Sequence, residues 1–343
     1  MEIFGSFSPA WKRMQDMLFR PFNLGGWFAL GFVFFLQALV EGGLGNRYNF
    51  NGGGSGGRTG TGAGAPPPSF VDVLEQLRKL VHDNAGSLTI LIVTGSLIGL
   101  VTVVLFSWLG TRGQMMAIRN VARGEASVGD AWRDTAEPAF ALFKFRLILS
   151  AIGLVITVPL FVLAISRTYE LIDGGVRETE ALLIGLIPFV VVIGGTGLVL
   201  GAVESIVRNF VAPLMWRFEI GVGEGFSRFL ELASGRWLSV LGFLVVRFVA
   251  SMIVGLVDTV VVTCTCCIGA LPVVHQTLFA PWHVLERAWS LYFIESAGVE
   301  WTMVDPMDAP PPAAGFPPPP APPPGGWGAY GPPPPGGPRW PGQ

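Results

Sequence analysis

A chain of 343 residues that is 51% hydrophobic and only 13% charged is too apolar for an ordinary soluble domain, and its mean hydropathy of +0.55 places it with integral membrane proteins. A net charge of −2 offers no clustered basic footprint, which excludes a nucleic-acid partner. The three cysteines, Cys264, Cys266 and Cys267, crowd one turn and sit too close together to staple distant parts of a fold.

The N-terminus carries Lys12, Arg13 and Arg20 ahead of an apolar run that reaches Glu41 without a small-residue cleavage site, the pattern of an uncleaved first span. Crossing a hydrocarbon core of about 30 Å takes about 20 apolar residues in a helix. Six stretches qualify: 22–40, 87–109, 145–165, 181–203, 237–262 and 268–294. Pro159, Pro188, Pro272 and Pro281 fall inside them and read as kinks.

Basic residues set the orientation. They gather at the N-terminus, in 110–146 (Arg112, Arg119, Arg123, Arg133, Lys144, Arg146) and in 207–236 (Arg208, Arg217, Arg228, Arg236), which predicts a cytoplasmic side for all three. On the other side Arg167 and Arg177 are outweighed by Glu170, Asp173, Glu178 and Glu180. Both termini then lie in the cytoplasm of a cell whose inner membrane the chain crosses.

Residues 42–68 form a Gly-rich outer loop with too little apolar surface to fold. After it, Phe70, Val73, Leu74, Leu77 and Leu80 recur at helical spacing and predict a short helix on the outer membrane surface. The membrane domain is bounded at 1–298. Residues 299–343 are expected as a disordered Pro/Gly-rich cytoplasmic tail, whose Pro- and Gly-rich stretch from Pro306 to Gln343 favours polyproline II.

An internal repeat organises the spans. An aromatic closely followed by a basic residue precedes each odd-numbered span, at Trp11, Trp132 and Phe226, and a second aromatic comes eleven residues later at Phe22, Phe143 and Trp237. Eleven residues is close to three helical turns, which places both rings on one face of a helix. At the inner end of each even-numbered span an arginine, Arg112, Arg208 or Arg287, leads a short apolar or aromatic run. The fold class is therefore all-α: a polytopic bundle of six transmembrane helices, arranged as three repeated hairpins, each preceded by an interfacial amphipathic helix. Mitochondrial carriers also set three hairpins about an axis along the membrane normal, but their signature Pro-x-[Asp/Glu]-x-x-[Lys/Arg] is missing after Pro159, Pro188 and Pro213, which rejects a carrier reading.

The stretches RGQMMAIRNVARGEASVGDAW (112–132), TCTCCIGALP (263–272) and ERAWSLYFIESAG (286–298) resemble an uncharacterised family of six-span bacterial membrane proteins, similar in look to membrane domains attached to some glycerophosphodiesterases. The resemblance implies a helical inner-membrane protein and no established activity. No phosphodiesterase domain accompanies it.

Arg247 sits about ten residues, or ~15 Å, into the fifth span, where a charge demands a partner. Glu204 is the nearest acid by depth, giving an expected intramembrane pair Arg247–Glu204. The alternatives are that Arg208 satisfies Glu204 locally and Arg247 snorkels inward. Asp258 is expected near outer-surface water. Cys264 and Cys267 with His275 and His283 lack zinc-type spacing and read as packing, so no metal is expected, and no cofactor. Gly53-x-Ser55-x-Gly57 lacks the strand and helix of a nucleophile elbow, so no catalytic residue is assigned. Gly95 with Gly99, Gly197 with Gly201, and Ser251 with Gly255 read as close helix contacts. The expected function is a non-enzymatic scaffold or assembly protein, with the lipid bilayer as its surroundings and a protein partner on the proline-rich tail through Trp327, Tyr330 and Trp340. The alternative is a transporter or lipid-handling protein with a site between repeats.

Overall fold

The computed structural model describes residues 1–40, 85–264 and 271–307. The Gly-rich loop, the outer-surface helix, Cys266, Cys267 and the tail beyond 307 lie outside them. Among the described residues every extended regular element is a helix. In chain order they are α1 (Phe7–Leu18), α2 (Leu24–Val40), α3 (Ala85–Arg123), α4 (Gly129–Asp134), α5 (Ala136–Asp173), α6 (Glu178–Ile206), a π-helical turn (Val207–Val211), α7 (Ala212–Phe218), α8 (Val222–Ala233), α9 (Trp237–Cys264), α10 (Pro272–Leu278) and α11 (Ala280–Glu295).

Four of these segments are long and apolar enough to cross a membrane: Val93–Arg123, Ala136–Asp173, Thr179–Phe218 and Trp237–Cys264. Each continues well past its apolar stretch, and the continuations build the core. Met115, Met116 and Ile118 of α3, Phe210 of the π turn, Met215 of α7, Phe229 of α8 and Phe243 of α9 are all buried there. Phe210 meets Phe229 at 5.2 Å, Phe243 at 5.9 Å and Phe293 at 6.1 Å, and Phe243 stacks on Phe293 at 4.2 Å. This collar is held as a soluble core is held, by area burial plus aromatic pairs worth about 0.5–1.5 kcal/mol each.

The amphipathic helices serve the collar rather than lipid. The buried side of α1 is Ala10, Arg13, Met14 and Leu18, and that of α8 is Gly225, Phe229, Leu232 and Ala233, both at helical spacing. The two aromatics expected eleven residues apart on one helix face are divided by a helix break in every copy. The breaks fall between α1 and α2, at Thr135, and between α8 and α9, where Gly235 takes φ +70°.

The first and last apolar stretches differ from the other four. Helix α2 is 17 residues long and lies antiparallel along the polar half of α3: Gly26 approaches Ala126, and Gly113 abuts the Gln37 and Leu36 backbone. The segment read as a sixth span is broken at Phe279, and Pro272 and Pro281 begin helices instead of kinking one. Twelve of the sixteen residues of α11 are buried, so its apolarity is satisfied by protein.

The folded unit also extends past residue 298, to Asp305. Trp301, Met303 and Val304 are buried, Glu295 Oε1 accepts the Met303 and Val304 amides at 2.8 Å each, and Arg217 donates to the Thr302 carbonyl at 3.0 Å. The boundary at 298 therefore falls short, because a single turn with one tryptophan carries no periodicity, while the Pro-rich composition itself starts at Pro306, directly after the folded unit. Trp301→Ala is expected to lower stability by about 3 kcal/mol, read as the thermal unfolding midpoint of the protein in detergent.

Candidate functional site

Where the apolar stretches meet the collar, charged and polar side chains from five helices converge. Arg146 of α5 donates to Gln114 at 2.5 Å and Thr111 at 3.3 Å on α3, and its Nε and Nη2 both engage the Glu204 carboxylate on α6. Arg247 of α9 donates to Glu286 Oε1 of α11 at 2.6 Å and approaches its carbonyl at 3.4 Å. Arg208, in the π turn, reaches the same Oε1 at 3.1 Å, and Arg287 donates to the Arg208 carbonyl at 3.0 Å. Arg146, Arg247, Glu286 and Arg287 are buried, so each charge depends on these partners.

The expected Arg247–Glu204 pair is therefore replaced by two others, Arg146–Glu204 and Arg247–Glu286. Sequence depth is a poor guide because α11 lies inside the bundle and delivers an acid at the level of Arg247. Glu286, an acid next to Arg287 within a largely apolar run, is the signal that depth alone passes over. Arg146 reads as a surface charge in the sequence, although it ends the polar face of α5.

Beyond this belt the apolar lengths are ample. From Leu147 to Ser166 on α5 are 20 residues, about 30 Å, and from Phe248 to Cys264 on α9 are 17, about 26 Å.

The residues that marked the repeat fall around the belt and collar. Arg112 lies 4.7 Å over the Trp132 ring, 5.7 Å from that of Trp108, and donates to the Trp132 carbonyl at 2.9 Å. Phe226 packs on Phe145 at 5.6 Å. Trp11 stacks on Phe7 at 6.3 Å, and Phe7 meets Trp289 edge-on at 5.2 Å. Arg208 and Arg287 are brought together in the belt itself.

A cavity of 410 Å³ opens between α6 and α9 against the belt, lined by Gly201, Glu204, Ser205, Arg208, Asn209, Leu244, Arg247, Phe248, Ser251 and Glu286 with Val40. The five-residue π turn places Arg208 and Asn209 on its wall. An extra residue in one turn rotates the rest of the helix by about 100°, a feature no periodicity search over apolar residues finds. Asn209 is buried, its Nδ2 reaches Ser205 at 3.3 Å, and its Oδ1 has no hydrogen-bond partner.

The glycines expected to bring helices together do not. A Cβ added at Gly95, Gly99, Gly197, Gly201 or Gly255 would meet nothing within 4 Å. The close approaches are elsewhere: a Cβ on Gly31 would strike Thr277, and one on Gly185 would strike Thr168. Asp258, expected near outer water, is largely buried, and His275 Nε2 lies 3.5 Å from its Oδ1. His283 packs on Phe34 at 5.1 Å, and Cys264 is exposed.

No curated protein and no solved structure matches the chain. One family does match, over residues 1–303, an extent that takes in the collar, the belt and the docked turn at Trp301. The chain belongs to that family of unknown function (DUF7544).

Proposed function

We propose that the protein is a non-enzymatic membrane scaffold that presents lipid-facing helix surfaces from a rigid inner collar. The observation that carries this reading is the division of packing. No more than 17% of the most apolar window of any span is buried within the protein, whereas the collar residues form one contiguous buried core. Helix α9 illustrates it: its buried residues are Val240, Phe243 and Arg247, all in its first eleven positions. Long apolar faces such as Met252, Leu256 and Val260 are left to lipid or to another membrane helix. The belt arginines are each held by a carboxylate or carbonyl of a neighbouring helix, which suits a joint between helices better than a relay across them.

In this reading the belt stands at the inner edge of the hydrocarbon core instead of mid-membrane, because about 30 Å of apolar helix remains beyond it. The indoles of Trp11 and Trp237 are exposed, and tryptophan favours the headgroup zone. The finer plan, six crossings in three like pairs with both termini in the cytoplasm, belongs to the same proposal. Reporter fusions at the two ends, read for side of the membrane, test it; opposite sides would reject it. The proline-rich tail supplies a second attachment point through Trp327, Tyr330 and Trp340.

Photo-crosslinkers at Leu198 on α6 and Leu256 on α9, both more than 70% exposed, test the scaffold reading in native membranes. A discrete adduct with a second polypeptide at either position is expected. Lipid adducts alone at both would overturn it.

A further inference from the structure

We propose that the α5–α6 hairpin carries a hinge at a single level, formed by Thr157 and Pro159 on α5 and by Gly194, Gly195 and Thr196 on α6, about which its outer half swings as one piece. The hinge goes beyond the scaffold reading and stands whether lipid or another helix covers the exposed faces.

The level follows from two close approaches between the helices. A Cβ added to Gly185 would strike Thr168, and one added to Gly153 would come within 3.0 Å of the Leu200 side chain. Fifteen residues separate Gly153 from Thr168 and fifteen separate Gly185 from Leu200, so the helices run antiparallel in constant register. Thr157, four residues on from Gly153, is then level with Thr196, four before Leu200. Pro159, six residues on, is level with Gly194, six before, to within about one turn.

Each of these residues weakens the helix that holds it. Pro159 lies inside α5 and has no N–H to offer the Val155 carbonyl. Thr157 Oγ1 donates to the Gly153 carbonyl at 2.7 Å and Thr196 Oγ1 to that of Val192 at 2.9 Å, a back-bond that bends helices. A Cβ on Gly194 or Gly195 would meet nothing within 4 Å, so close packing does not account for the pair, and backbone freedom does. Both glycines and Pro159 are exposed, so no third helix splints this level. A breaker in one helix alone would be held straight by the other; breakers at the same level let both yield together.

The pieces on either side are firm. In the outer half Ala164 and Thr168 of α5 and Ala181 and Gly185 of α6 are buried between the two helices. The inner half is tied to the belt through Arg146 and Glu204. From Pro159 to Asp173 the outer arm is 14 residues, about 21 Å long, so a change of bend of about 20° carries its tip about 7 Å.

Double electron–electron resonance on the full chain in dioleoyl-phosphatidylcholine bilayers tests this, with Cys264, Cys266 and Cys267 changed to Ala. Spin labels are placed at the exposed positions Leu183, beyond the hinge, Leu147, before it, and Glu224 on α8. The distance distribution for Leu183→Cys with Glu224→Cys is expected to be broader by about 7 Å than that for the control pair, Leu147→Cys with Glu224→Cys. Pro159→Ala, Gly194→Ala and Gly195→Ala combined restore helix-forming backbone at exposed positions and are expected to bring the outer distribution down to the control width. Pro159→Ala alone is expected to give an intermediate width. Outer and control pairs equally narrow with the native hairpin would make the bend static and overturn the proposal. An outer distribution that stays equally broad in both the single and the combined variant would place the motion elsewhere and overturn it as well.

Discussion

Glu286→Gln is expected to cost about 3–5 kcal/mol, the largest loss of any single isosteric change in the protein. Shape and hydrogen-bonding capacity are nearly conserved, so the effect is one of charge. Arg247 and Arg208 lose the carboxylate oxygen they share, and Arg247, with 6% of its side chain exposed, is poorly placed to draw on solvent instead. Glu204→Gln serves as the internal comparison. Its carboxylate is 37% exposed, solvent screens it, and the expected loss is about 1 kcal/mol even though Arg146 engages it closely. Changing Arg247 and Glu286 together to Gln should recover part of the Glu286→Gln loss, since the most deeply buried uncompensated charge is then gone. Denaturant titrations of the four proteins in one detergent measure the ranking; equal losses for Glu286→Gln and Glu204→Gln would show that the belt is not a buried electrostatic joint.

Arg13→Met is expected to cost a similar amount, about 3–5 kcal/mol, by a different route. A helix ends with carbonyls that lack amide partners, and a cation at that end satisfies them and complements the helix dipole. Arg13 does this for α3 from outside: Nε donates to the Val121 carbonyl at 2.9 Å and Nη2 to that of Ala122 at 2.6 Å. Its Nη1 reaches the Asp305 carbonyl at 2.6 Å, and the Asp305 amide itself bonds to Ala122 at 2.8 Å. One side chain thus ties the first helix, the end of the longest helix and the end of the folded unit. Burial pushes its pKa below the ordinary arginine value, while Tyr292, Asp305 and Glu295 favour the charged form. Met keeps the apolar stem and removes the donors, so a loss confined to truncation, as in Arg13→Ala but absent in Arg13→Met, would reject the capping role. Limited proteolysis near residue 305 should accelerate in parallel with the loss.

Much of this is legible in the residues. The apolar runs on α3, α5, α6 and α9 are long enough to declare themselves, and the amphipathic spacing in α1 and α8 is correctly a helix signal. What periodicity does not separate is the partner of an apolar face. The stripe on α1 and the apolar residues of α11 look the same whether lipid or protein covers them, and here protein does. Charge pairing fails for a related reason. Depth along the chain matches Arg247 to Glu204, but a partner across a bundle is set by which helix lies inside, and that is decided by collar residues far from either charge. Glycine spacing misleads in the same way: Gly197 and Gly201 have the pattern of a contact and face open space, while Gly113, outside any such pattern, touches the α2 backbone.

Helix α9 buries Val240, Phe243 and Arg247 near its base, and eleven residues further out its Asp258 lies 3.5 Å from His275 of α10. A rod held at its base and tied again through Asp258 to His275 changes inclination together with α10. When bilayer thickness changes, hydrophobic mismatch is relieved by tilt, at fractions of a kcal/mol per Å. The cavity between α6 and α9 would widen or narrow as α9 and α10 tilt as one piece while the aromatic hub at its foot stayed fixed, like a rib opening on the hub of an umbrella.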